Sequence, residues 1–138
     1  LYDNARKLAV NSHSCVNAPA QWAGLAALTR PQDAVAMMLA EFDRRRKAVV
    51  AGLNQLPGVS CIEPKGAFYA FPNVSQTGWK AKKLASALLE ETGVATIGGP
   101  DFGVHGEGYI RLSYANSLEN IERALGRMGE FLKSAKAA

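Results

Sequence analysis

The sequence predicts an α/β fold in which one small sheet, mixed or antiparallel, packs against long helices. Short β-branched and aromatic runs at 59–64, 66–72, 94–98 and 109–114 are interspersed with longer segments of helical periodicity. So few elements of each kind allow only a single sheet with helices mainly on one face. A chain of 138 residues, 48% hydrophobic and 20% charged, is large enough for a core of its own and does not have the composition of a disordered segment.

Residues 1–12 and 18–29 read as two helices, the second carrying Trp22, Leu25 and Leu28, with "SHSCVNAP" between them. A long helix follows. Pro31 stands at its expected first turn and Pro57-Gly58 at its stop, giving a rod of about 36 Å at 1.5 Å per residue. Val35, Met38, Leu39, Phe42, Val49, Leu53 and Leu56 recur along it at helical spacing, and Arg45 and Arg46 interrupt one face. "VSCIEP" and "GAFYAFP" are expected as two strands in a hairpin-like pair, bounded by Pro64 and Pro72. "TGWKAKKLASALLEETG" predicts an amphipathic helix through Leu84, Leu88 and Leu89 that Gly93 ends. "VATIG" and "YIRLSY" are strands on either side of the glycine-rich loop "GPDFGVHGEG". The last helix is expected to start with Asn116 as N-cap and Glu119 three residues on, and to bury Leu118, Ile121, Leu125, Met128 and Leu132.

Composition narrows the function classes. A net charge of +4 would suit a nucleic-acid partner, but the basic runs "RRRK" and "KAKK" fall in helical stretches with little aromatic interleaving, so no nucleic-acid site is expected. Cys15 and Cys61 lack CxxC spacing, and His13 and His105 are isolated, so a reduced, cytoplasmic protein without a metal site is expected. No apolar run of about 18 residues exists to cross a bilayer. The chain opens at Leu1 without an initiator Met and reads as a piece of something longer.

One residue stands out. In "YIRLSY", Ile110, Leu112 and Tyr114 alternate with Tyr109, Arg111 and Ser113, which puts a permanent positive charge in the middle of a strand. Arginine does not lose its proton to escape burial. Either a carboxylate of the chain, Glu107 or Glu119, meets it, or an anionic ligand does.

"GAFYAF", "GVATIGGPDFG" and "GYIRLSYANSLENIERAL", in that order, resemble the C-terminal part of a class I aminotransferase, a fold-type I pyridoxal-phosphate enzyme. "NSHSCVNAPAQWAGLAAL" is similar to the segment that precedes the helix joining the large and small domains in that family. The resemblance covers almost the whole chain. It implies that residues 1–30 are the end of a large domain and that residues 31–138 are the small domain with the inter-domain helix.

The same resemblance implies roles. Arg111 corresponds to the arginine that grips the substrate α-carboxylate, and Phe68 to an aromatic residue beside the active site. The "GGPDFG" loop is expected at the substrate mouth. Ser12, His13 and Ser14 are expected near the cofactor phosphate of a neighbouring subunit in a homodimer. The family exchanges an amino group between an amino acid and a 2-oxo acid on pyridoxal phosphate, and the overall pattern leans toward aspartate. Its Schiff-base lysine lies in an S-x-S-K motif, and none of Lys7, Lys47, Lys65, Lys80, Lys82, Lys83, Lys133 and Lys136 has that setting. The chain alone is therefore expected to be inactive and to self-associate through its first two helices. The alternatives are another fold-type I enzyme, such as a C-S lyase or a cyclopropane-carboxylate synthase, and a free-standing carboxylate-binding module.

Overall fold

The computed structural model describes residues 1–134; Lys136 and the end of the "KSAKAA" tail lie outside the described residues. The chain divides into two compact units, Leu1–Ala36 and a second that begins at Met37.

The first unit contains α1 (Tyr2–His13) and α2 (Ala18–Thr29). Asn17 caps α2, its side-chain oxygen accepting the Ala20 N–H at 2.8 Å, with proline in the first turn. No residue of either helix is buried. Helix α3 (Asp33–Leu53) crosses the boundary between the units. It is shorter than the sequence suggested: its first turn comes after Pro31, and it ends at Leu53, ahead of Pro57-Gly58. Gln55 and Leu56 then donate to Gly52 and Leu53, a tightening that turns the chain before the proline is reached.

The second unit holds a three-stranded antiparallel sheet in the order β1-β3-β2, with β1 at Tyr69–Ala70, β2 at Ile97–Gly98 and β3 at Ile110–Ser113. Central β3 sets Ala70 opposite Leu112 and Ile97 opposite Arg111. Between β1 and β2 run a short 3-10 turn (Ser75–Thr77) and α4 (Ala81–Ala87), which widens into a π turn (Leu88–Thr92) and stops at Gly93, left-handed at φ 70°. A 3-10 turn (Gly99–Phe102) follows β2. Helix α5 (Leu118–Ser134) closes the described chain.

Two expectations need correction. The expected hairpin-like pair of 59–64 with 66–72 is reduced to one antiparallel bridge at its end, Ser60 with Asn73, and β1 pairs with β3 instead. The reason is a side chain. Asn54 accepts the Cys61 N–H at 2.8 Å and donates to the Cys61 carbonyl at 3.0 Å, so it meets the backbone groups a partner strand would have met. Arg46 binds the Glu63 carboxylate and the Pro64 carbonyl, tying the same stretch to α3. The cap of α5 is also displaced by one residue. Ser117 Oγ accepts the Asn120 N–H at 3.2 Å and the Ser117 carbonyl accepts from Ile121, whereas Asn116 accepts from Ser117 and from the Asn120 side chain.

The core lies on one face of the sheet. Ala70 and Ile110 point into it, against Leu84 and Leu88 of the α4 segment, Ile121, Leu125, Met128 and Phe131 of α5, and Val49 and Leu53 from the end of α3. Burial of each large side chain contributes about 1.5–3 kcal/mol. The alternation that buries Ile110 turns Arg111 and Ser113 to the other face, which α4, α5 and the end of α3 leave open.

Candidate functional site

Arg111 sits at the centre of that open face and is half-buried. Neither acidic residue considered from the sequence meets it. Glu107 accepts the Ala81 N–H at 3.0 Å, and this hydrogen bond, at the start of α4, holds its carboxyl below the usual carboxylate range. Glu119 is exposed on α5 and enters no ion pair among the described residues. Among those residues, Arg111 has no carboxylate within ion-pair distance.

Its neighbours are aromatic. The guanidinium carbon lies over the Tyr69 ring at 4.5 Å and over the Phe102 ring at 4.4 Å. Tyr69 comes from β1 and Phe102 from the turn after β2, so the rings approach from the two flanks of the central strand. Such contacts stabilise the cation by about 0.5–2 kcal/mol each. They leave the N–H donors of the fork available, because a ring face offers no hydrogen-bond acceptor comparable to oxygen.

Both rings are supported. Phe68 packs on Tyr69 with centroids 4.5 Å apart and on Phe42 of α3 at 6.2 Å. Its backbone is set by a local clamp: buried Tyr114 donates its hydroxyl to the Ala67 carbonyl at 2.9 Å and its N–H to the Phe68 carbonyl at 2.9 Å, which holds Ala67 at φ 58°. On the other flank, Phe102 meets Phe71 edge-on at 5.9 Å, and Phe71 stacks on Tyr109 at 5.5 Å. The turn carrying Phe102 is fixed by the Lys82–Asp101 ion pair at 2.6 Å and by the Gly99 N–H donating to Tyr109.

The residues expected at the site are thus partly brought together. The "GGPDFG" loop reaches Arg111 through Phe102, while Phe68 is linked to Arg111 through Tyr69. Ser12, His13 and Ser14 belong to the first unit, at the C-terminal end of α1, and all are exposed; Ser12 Oγ donates to the Leu8 carbonyl and lies 3.2 Å from His13 Nδ1. Sequence reasoning did not single out Tyr69 or Phe102. The one available signal was an aromatic residue inside a glycine-rich loop; the place of Tyr69 near Arg111 follows from the strand register, which the structure supplies.

These residues do not make a cradle for pyridoxal phosphate. Every lysine among the described residues is exposed, and no Asp, Glu, Lys or Arg among them is buried, so none presents a sheltered amine or a carboxylate to a ring nitrogen. What this chain does assemble is a guanidinium held between two aromatic rings, with no carboxylate paired to it among the described residues. No described helix is long and apolar enough to cross a membrane, and the described residues hold no cluster of metal-ligating side chains.

Known proteins are similar to this chain along most of its length. An aspartate aminotransferase of Pyrococcus horikoshii is 45% identical over 118 residues, 84% of this chain and 30% of that protein. Aromatic-amino-acid aminotransferase 2 of Thermococcus litoralis is 41% identical over 78% of this chain and 27% of its own length. The solved structure of an aromatic aminotransferase from Pyrococcus horikoshii matches with a TM-score of 0.85 and 41% identity, across 92% of this chain and 34% of that one. The chain spans about a third of the length of the curated relatives it matches. The family model described as aminotransferase class I and II matches residues 3–128. A family model that matches nearly the whole chain, with relatives and a solved structure that agree with it, places the chain in the class I and II aminotransferase family.

Proposed function

We propose that this chain is the C-terminal part of a pyridoxal-phosphate-dependent aminotransferase, residues 1–30 closing its large domain and residues 31–138 forming its small domain. Arg111 holds the α-carboxylate of the amino acid or 2-oxo acid. The observation that carries the proposal is a half-buried guanidinium, ringed by aromatic side chains, with no carboxylate paired to it among the described residues.

A guanidinium can hold a carboxylate through two parallel charge-assisted hydrogen bonds. Two bonds fix rotation as well as position, so the clamp orients the substrate's Cα bonds before reaction. Pyridoxal phosphate, when bound, supplies the electron sink that lets one of those bonds break. The groups that would anchor it, a lysine above all, belong in this proposal to the remaining two thirds of the enzyme, and the isolated chain is inactive.

Phe68 borders the substrate mouth as the ring behind Tyr69, and Ser12, His13 and Ser14 face the cofactor phosphate of a neighbouring subunit in a homodimer. The aspartate aminotransferase at 45% identity supports aspartate as the amino donor. Two free thiols suit a reducing compartment, and we place the enzyme in the cytoplasm.

The test is Arg111→Lys in the full-length enzyme. Lysine keeps the charge and loses the planar fork. We expect kcat/KM for the amino acid to fall about 10²-fold, the scale of a truncated charge-assisted pair. Near-normal kcat/KM would overturn the assignment.

A further inference from the structure

We propose that Tyr69 and Phe102 are positioning residues for Arg111, forming the inner ends of two columns of rings that converge on its guanidinium. One column runs Phe42, Phe68, Tyr69; the other runs Tyr109, Phe71, Phe102. The functional role of both rings rests on Arg111 being the clamp proposed above.

An arginine side chain standing on an open sheet face has many rotamers, and a carboxylate that binds it must first select one. Nothing polar performs that selection here: Arg111 has no ion pair among the described residues, and the sheet neighbour directly opposite it is Ile97. What surrounds the charge is two ring faces at 4.5 Å and 4.4 Å. A ring attracts the cation through its quadrupole and takes up none of its N–H bonds. An acidic positioning residue would compete with the substrate for the same fork; aromatic ones hold the charge and leave the fork open.

The rings themselves are not burial-driven core. Within this chain Tyr69 is 38% exposed and Phe102 49% exposed, so burial in its own core does not account for placing two large aromatics on this face. Phe102 is also anchored from outside the site, since Lys82 on α4 binds the adjacent Asp101. That ion pair reaches across to the turn next to the cation while keeping its own charges on each other.

Two measurements test the proposal. In the NMR spectrum of the 138-residue chain, the Arg111 Nε–Hε signal should be shifted by the ring currents. It should move toward the value of an unstructured arginine in Phe102→Leu and in Tyr69→Leu, and return in Phe102→Tyr. In the full-length enzyme, Phe102→Leu should raise KM for the amino acid about tenfold with a smaller change in kcat, Phe102→Tyr should restore it, and Phe102→Leu should add little when Arg111 is already lysine. If Arg111→Lys weakens the substrate but Phe102→Leu and Tyr69→Leu change neither the signal nor KM, the rings do not position the clamp. If the signal moves as expected while Arg111→Lys leaves kcat/KM intact, the rings do position the guanidinium and it is the clamp reading that fails. Unfolding of both leucine variants would make the rings structural and overturn the proposal.

Discussion

At the scale of single residues, the site depends on two glycines as much as on its arginine. Gly99 and Gly106 lie back to back: a Cβ on Gly99 would run into the Gly106 carbonyl, and one on Gly106 into the Gly99 carbonyl. Both obstacles are backbone, which has no rotamer with which to yield. Gly106→Ala should therefore lower stability by about 2–4 kcal/mol in urea denaturation, through strain in the turn that carries Phe102. Gly126 is the internal control. It is exposed on α5 with nothing within 4 Å of its Cβ position, so Gly126→Ala should raise stability by about 0.5–1 kcal/mol. Equal effects at the two positions would refute the close-approach account. Arg111 itself was legible in the sequence because strand alternation isolates one charge among apolar and small neighbours. Tyr69 and Phe102 were not, since their meeting depends on strand register and on the path of a loop, neither of which leaves a period in the sequence.

At the scale of elements, periodicity located the helices and most of the core stripe, and local hydrogen bonding decided where the elements end. The pattern of α5 was readable, yet its cap was not. Asn116 and Glu119 satisfy the capping rule as well as Ser117 and Asn120 do, and only the turn geometry selects the latter. Ser117→Ala should cost about 1 kcal/mol. Glu119→Ala, at an exposed position without an ion pair among the described residues, should stay within about 0.5 kcal/mol. Thermal unfolding of the two variants decides between the frames, and a larger loss at Glu119 would restore the one expected from sequence. The reduced hairpin has the same origin. A β-branched run reads as a strand only if its backbone needs a partner strand, and at Cys61 the Asn54 side chain has already met that need. Such a side-chain bond leaves no periodic trace, so the extended character of 59–64 was legible and its pairing was not.

At the scale of the whole molecule, the first unit presents an apolar surface with nothing in the described chain buried beneath it. Helix α2 carries no charged residue, and Trp22 is 71% and Leu28 87% exposed. Leu8, Val10 and Leu25 are exposed as well. Apolar surface, where it is contiguous, marks a contact in soluble proteins. A net charge of +4 over 138 residues offers little repulsion to oppose association. The 138-residue chain should therefore associate as its concentration rises into the hundreds of micromolar, read by sedimentation velocity as a shift to larger species. Trp22→Glu and Leu28→Glu should each return it toward monomer while leaving thermal stability nearly unchanged, because neither side chain belongs to the core. A sharp monomer boundary at every concentration would mean that these helices do not drive association. An equal shift retained in both variants would place the contact on the second unit instead, where Met37, Leu39 and Ile62 are also exposed.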